Sequence, residues 1–196
     1  MPPTSDRRPM HLDPHILDFL MALEAQGGPP LWTLSPTSAR DVLLRLQRSV
    51  TVAPLPVDSA DCTLLGGPTG RIGLRIVRPQ GASGVLPGVM YFHGGGWMLG
   101  DSETHEAIVR EIVTGAQVIV VFVEYARSPQ AKYLIVIEQA YTATTWVAEH
   151  GAALGVDPSR LAVAGDGVGG NLATVTTLLA KERGGHRSSS RSSCIR

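Results

Sequence analysis

From Val118 to Val123 the sequence runs Val-Ile-Val-Val-Phe-Val without one polar residue. A strand with one wetted face alternates polar and apolar side chains, so an unbroken, β-branched run describes a strand covered on both faces, at the centre of a sheet. The surrounding segments fit around it. CTLLGG from Cys62 and RIGLRIVRP from Arg71 read as two strands joined through Gly66 to Gly70; VLPGVMYFH from Val85 is another, and Leu161 to Ala164 a further one. Helical stretches are expected near Glu103 to Val113, Tyr133 to Glu149 and Gly169 to Glu182. Strands that begin as a hairpin and then alternate with helices predict the α/β class: a mostly parallel sheet of about five strands with helices on both faces.

Ahead of this body, Ile16, Leu17, Leu20, Met21 and Leu23 recur at helical spacing behind Asp13, a helix-capping residue, with Pro14 in the first turn. Gly27-Gly28-Pro29-Pro30 stops that helix. A second begins near Pro36 and carries Val42, Leu43, Leu46 and Val50 before Pro54. Residues 1–56 are therefore expected to form N-terminal cap helices, although most apolar helical stripes simply pack against a core. Residues 57–183 are expected to form the α/β body. From Gly184 the sequence GGHRSSSRSSCIR loses its apolar period, and residues 184–196 are expected to be a disordered tail.

Seventeen Lys and Arg balance seventeen Asp and Glu. Such a balance argues against a surface built to neutralise phosphates, so no nucleic-acid partner is expected. Two cysteines, Cys62 and Cys194, are too few for a disulfide framework and have no metal-ligand spacing. With no apolar leader in the first ten residues and no membrane-length apolar run, a reducing, cytoplasmic location is the expectation.

Two glycine-rich segments fall where strands end, which is where open α/β sheets bind ligands. In Tyr91-Phe-His-Gly-Gly-Gly-Trp97, successive glycines let the backbone approach a ligand and turn N–H groups inward, as an oxyanion hole requires. Val163-Ala-Gly-Asp-Gly-Val-Gly-Gly-Asn171 lays out strand, tight turn and helix start, the plan of a nucleophile elbow.

The pair YFHGGGW and AGDGVGGNLA, with DPSRLAVAG leading into the second, resembles the hormone-sensitive-lipase-like branch of the α/β-hydrolase esterases from about residue 58 to 185. The resemblance implies a capped α/β-hydrolase fold acting on short to medium acyl esters, with no metal or organic cofactor. It places an oxyanion hole on the amides of Gly95, Gly96 and Val168, supported by His93, Gly94, Gly165, Asp166 and Gly169, and a substrate pocket beside Trp97. It also exposes a departure. The elbow of that branch reads G-D-S-x-G-G, and the serine position here is Gly167.

Glycine offers no nucleophile, so acyl-enzyme chemistry is not expected of this chain. In this fold the acid and the histidine follow the serine, and after Gly167 there are only Glu182 and His186. Glu182 ends the elbow's own helix and His186 lies in the tail, so neither fits. His105 and His150 precede the elbow and read as surface or helix-end histidines. The resemblance also implies that a further strand should follow Glu182, and codons compatible with the tail, read in another frame, give the strand-like run Pro-Pro-Leu-Glu-Phe-Gln-Val. The tail is thus expected to be a frameshifted remnant and the C-terminal strands to be missing, leaving an exposed sheet edge prone to self-association.

Two other readings compete. Gly165, Gly167 and Gly170 form a G-x-G-x-x-G after a strand, the local context of a dinucleotide site. The acid-ended second strand of that motif is absent, and Asp166 would set negative charge beside a pyrophosphate. The other reading is a non-catalytic protein that keeps the oxyanion loop as a pocket for a small ester or carboxylate.

Overall fold

The computed structural model describes residues 12–25, 27–49, 53–184 and 194–195. These fall into two compact units, Met1–Ser35 and Pro36–Arg196. In the first, helix α1 spans Pro14–Ala25. Asp13 caps it, its carboxylate accepting the His15 amide at 2.9 Å, which supplies a partner to a helix-start N–H. A single 3-10 turn, Leu31–Thr33, follows the glycine-proline stop.

The second unit opens with α2, Pro36–Ser49, and continues β1 (Val57–Leu65), β2 (Arg71–Pro79), β3 (Leu86–Phe92), α3 (Glu106–Ala116), β4 (Ile119–Glu124), α4 (Tyr133–His150), β5 (Val156–Gly165), α5 (Val168–Glu182) and the two-residue β6 (Cys194–Ile195). The sheet order is β5-β3-β4-β2-β1-β6. The expected parallel bias needs correction, because the sheet is mixed. β3 runs parallel to β4 and to β5, whereas β2 is antiparallel to both β1 and β4. The physical reason lies in the short turn. Gly66 donates to Gly70 O at 2.9 Å, and so tight a connection can only join antiparallel strands, so the β1–β2 pair is antiparallel whatever direction the rest of the sheet takes.

Strand β4 is buried on both faces, as its unbroken apolar run requires. Ile119, Val121 and Val123 pack with Met90, Phe92 and the α4 and α5 residues Val136, Ala140, Val147 and Leu172. Val120 and Phe122 point the other way, onto Tyr91, Val109 and Val113. Helices thus cover both sheet faces, α4 and α5 on one and α3 on the other.

The Asp-Pro-Ser-Arg segment lies inside β5 rather than before it. Pro87 pairs with Asp157 and Gly88 with Leu161, so residues 158–160 bulge out of the ladder. Asp157 closes that bulge by accepting the Ser159 amide at 2.9 Å, the Ser159 hydroxyl at 2.6 Å and Arg160 Nε at 2.6 Å.

Of the expected tail, residues 185–193 and 196 lie outside the described residues. Leu64 pairs with Cys194 in a short antiparallel contact between β1 and β6, and Cys62 is disulfide-bonded where reduced thiols were expected. Cysteine count alone is a poor guide here, because a bridge needs only two cysteines whose Cα atoms come within about 7 Å of each other. Among the described residues no helix is long and apolar enough to cross a membrane.

Candidate active site

The end of β5 and the start of α5 form a tight elbow with Gly167 at its apex, at φ 52° and ψ −117°. The glycines on either side are dictated by contact. A Cβ on Gly165 would lie 2.4 Å from Phe92 O, and one on Gly169 only 1.9 Å from the same oxygen. Both distances are far inside van der Waals separation, so helix α5 can pack against β3 only because these residues lack side chains. At Gly167 itself the nearest atom to a Cβ would be Gly94 Cα, 4.0 Å away. The apex therefore stands beside the glycine loop and has room for a side chain it does not carry.

That loop follows β3. Gly95 and Gly96 have φ of 111° and 62°, in the left-handed region open to glycine. Gly95 O accepts the Leu99 amide at 2.8 Å and the Met98 amide at 3.2 Å, which closes the turn. Trp97 also has a positive φ, 67°, and its ring meets Tyr133 edge-on with centroids 5.2 Å apart. Tyr133 in turn donates to Asn171 Oδ1 at 3.4 Å, one helical turn beyond Gly167.

Asp166 joins loop to elbow. Its Oδ1 accepts the Gly94 amide at 2.9 Å and the Tyr91 hydroxyl at 2.9 Å, and His105 Nε2 lies 3.5 Å from the same oxygen. Burial pushes the Asp166 carboxyl up, but the Tyr91 hydroxyl, the His105 charge and the Gly94 amide together hold it below its ordinary value. Tyr91 is pushed up, by burial first and then by its bond to Asp166.

His93 supports the loop from beneath. It is fully buried and stacked on Tyr125 with centroids 4.1 Å apart. Tyr125 donates to His93 O at 2.7 Å. His93 Nδ1 is 2.7 Å from Gly94 O; a carbonyl only accepts, so Nδ1 carries the proton. Nε2 is buried without a hydrogen-bond partner. Burial lowers the imidazole to about 4, so this ring is neutral at pH 7.

His105 is a helix-end histidine, at the N-cap of α3, but not a surface one. Its side chain is 14% exposed, and its ring lies 5.5 Å from that of His93 and 6.3 Å from that of Phe122. Sequence reasoning also passed over Arg40 of α2. Its guanidinium donates to Met98 O and Ser128 O, each at 2.7 Å, and so braces the segment after the glycine loop. Charged residues at helical spacing carry no signal that separates such a brace from a solvated arginine. His150, by contrast, ends α4, stacked on Trp146. Glu182 closes α5, about 20 Å along the helix that Gly167 opens, and His186 lies outside the described residues.

Among the described residues no cluster of His, Cys, Asp and Glu could hold a metal ion. A cavity of about 400 Å³ is lined by Arg48, Leu55, Glu103, Glu106 and Arg110 among others, and by no residue of the loop or elbow.

Residues 89–192 match a family described as having the alpha/beta hydrolase fold. Esterase LipI of Mycobacterium tuberculosis is 46% identical over 123 residues, covering 62% of this chain and 38% of LipI. The crystal structure of a thermostable esterase from Pseudomonas putida superposes with a TM-score of 0.85 at 48% identity, covering 88% of this chain and 54% of that one. A Pyrobaculum calidifontis esterase gives 0.79 at 36% identity, again covering 88% and 54%. The chain thus spans 38% of the length of LipI and 54% of the length of either solved esterase.

Proposed function

Because this chain belongs to the alpha/beta-hydrolase fold family, in its hormone-sensitive-lipase-like esterase branch, we propose that it keeps the branch's anion-binding half-site and has lost its turnover. The observation that carries this reading is Gly167 at the elbow apex, where no side chain is available to attack a carbonyl. The amides of Gly95, Gly96 and Val168 are the donors that would face a developing oxyanion, and Trp97 the wall of a pocket for a short to medium acyl ester. The order of events in such a site is acyl transfer to a serine followed by water attack. Without the serine the first step has no nucleophile. In this fold the acid and the histidine follow the serine, and Glu182 closes α5 far along the helix from Gly167, so restoring serine alone is expected to leave the site silent.

A second reading, retention of a small ester or carboxylate without hydrolysis, is favoured by the open space beside Gly167. It is also favoured by a relative: a serine-to-alanine mutant of esterase rPPE, 48% identical to this chain, was crystallised in complex with (S)-Ac-CPA.

The test is p-nitrophenyl butyrate hydrolysis by the chain and by Gly167→Ser, with amide spectra recorded on addition of butyrate. Both proteins are expected to match the buffer blank, and the amides of Gly95, Gly96 and Val168 to shift saturably. Hydrolysis by Gly167→Ser that a phosphonate serine reagent abolishes would overturn the silent-site reading, and unmoved amides would remove the binding one.

A further inference from the structure

The histidine that sequence reasoning set aside stands behind the glycine loop and touches the carboxylate that anchors it. We propose that His105 is a positioning residue of this site: the charge on its ring sets how strongly Asp166 holds the Gly94 amide, and so how firmly the glycine loop is held against the elbow. The proposal rests on reading that loop as the anion-binding element, but its test does not.

Three observations support it. His105 Nε2 is 3.5 Å from Asp166 Oδ1, the oxygen that also accepts the Gly94 amide and the Tyr91 hydroxyl, each at 2.9 Å. One oxygen thus serves two hydrogen bonds and one charge contact, so negative charge drawn toward an imidazolium is drawn away from the Gly94 bond. The other ring nitrogen is occupied too, with Nδ1 3.0 Å from the Thr104 hydroxyl and 3.2 Å from Asp101 O, so the ring is held in place. Finally, the backbone between loop and ring is packed without slack. A Cβ on Gly94 would lie 2.1 Å from Asp166 Oδ2, and one on Gly100 would lie 2.4 Å from Gly94 O and 3.1 Å from His105 Cε1. A change in the pull on Asp166 is therefore felt at the Gly94 bond as well as at the Tyr91 hydroxyl.

The groups around the ring define what else could move with pH. Asp166 faces it from the elbow, and Tyr91 and His93 from β3 and its end. Asp101 and Thr104 face it from the loop before α3, and Arg127 stands behind, donating to Gly100 O and lying 3.5 Å from the Asp101 carboxylate. Of these, His105 is the one imidazole in contact with the Asp166 carboxylate.

The experiment is a pH titration of the ¹⁵N-labelled full chain from pH 5 to 8.5, following the His105 ring and the Gly94 amide together. The Gly94 amide proton is expected to move downfield as His105 loses its proton, with the same midpoint as the ring. In His105→Gln that inflection disappears while the β1–β2 hairpin amides stay in place, and in Asp166→Asn the Gly94 amide no longer follows the ring. A Gly94 amide that stays flat, or follows the midpoint of His150 instead, overturns the proposal. Should either variant fail to fold, the wild-type titration alone decides. The p-nitrophenyl butyrate and butyrate experiments can fail without touching this result, because it requires no ligand.

Discussion

A side chain at position 167 meets open space, whereas one at 169 meets Phe92 O at 1.9 Å; the two glycines of the elbow therefore exist for different reasons. Gly167→Ser has only the left-handed φ of 52° to resist it, a cost of about 1 kcal/mol. It should leave the melting temperature within a few degrees, which thermal unfolding followed by circular dichroism will read. Gly169→Ala has to push α5 off β3, and more than about 2 kcal/mol should be lost. A Gly167→Ser variant that melts well above the parent would show that the apex is not the strained position argued here. His93 gives a pH signature at the same scale. Burial lowers its imidazole to about 4, against about 6.5 in an unfolded chain. The unfolded state binds the proton first, so the stability contribution is complete above about pH 6.5 and falls as pH drops toward 4, by up to about 3 kcal/mol. Urea unfolding midpoints at pH 7 and pH 5 measure this, and a flat profile would contradict a neutral, buried His93.

Among elements, α2 has the least predictable role and a well-defined attachment. Arg40 reaches Met98 O and Ser128 O, two carbonyls on separate loops, from a helix whose sequence shows nothing beyond amphipathic spacing. Replacing it with alanine leaves both carbonyls without that donor and should cost about 1.5–3 kcal/mol, the range for hydrogen bonds to a charged group. Lysine has a single ammonium in place of a fork and should recover less than half of the loss. Urea titration of both variants checks the size, and hydrogen exchange at the Leu99 amide checks the location. The bulge in β5 illustrates the opposite case. Asp157, held down to about 2 by the Ser159 and Arg160 side chains, closes a local turn that the Asp-Pro-Ser-Arg sequence already signals.

At the scale of the molecule, the sheet edges differ. Strand β5 pairs with β3 alone among the described residues, and its segment Leu161-Ala-Val-Ala-Gly165 has no charge or proline to discourage another strand. On the other side of the sheet, the two-residue β6 pairs with β1 only at Thr63 and Leu64, and the rest of β1 carries Asp58 and Asp61. The chain spans 54% of the esterases of known structure that it matches, so the same strand in those proteins belongs to a larger body. Concentration-dependent self-association through β5 is the expected result, and Ala162→Lys, which sets a charge at an exposed position of that edge, should reduce it. Sedimentation velocity over a tenfold concentration range decides. A monomer throughout would mean the edge is covered.

The sequence by itself determined the elements that rest on local rules. The apolar run of β4 required cover on both faces, the glycine turn required a hairpin, and the spacing of Gly165, Gly167 and Gly169 marked a tight strand-to-helix elbow. Each is set by side-chain periodicity or by a steric demand on neighbouring residues, and both are written along the chain. The sheet's direction pattern and the bonds that assemble the site were decided only in three dimensions. Asp166 meets Gly94 across 72 positions and Tyr91 across 75, and Arg40 meets Ser128 across 88. His105, a helix-end histidine as its sequence position suggested, meets Asp166 for the same reason. Contacts between residues so far apart have no periodicity to betray them, and they form only when the packing of helices on the sheet brings the strand ends together.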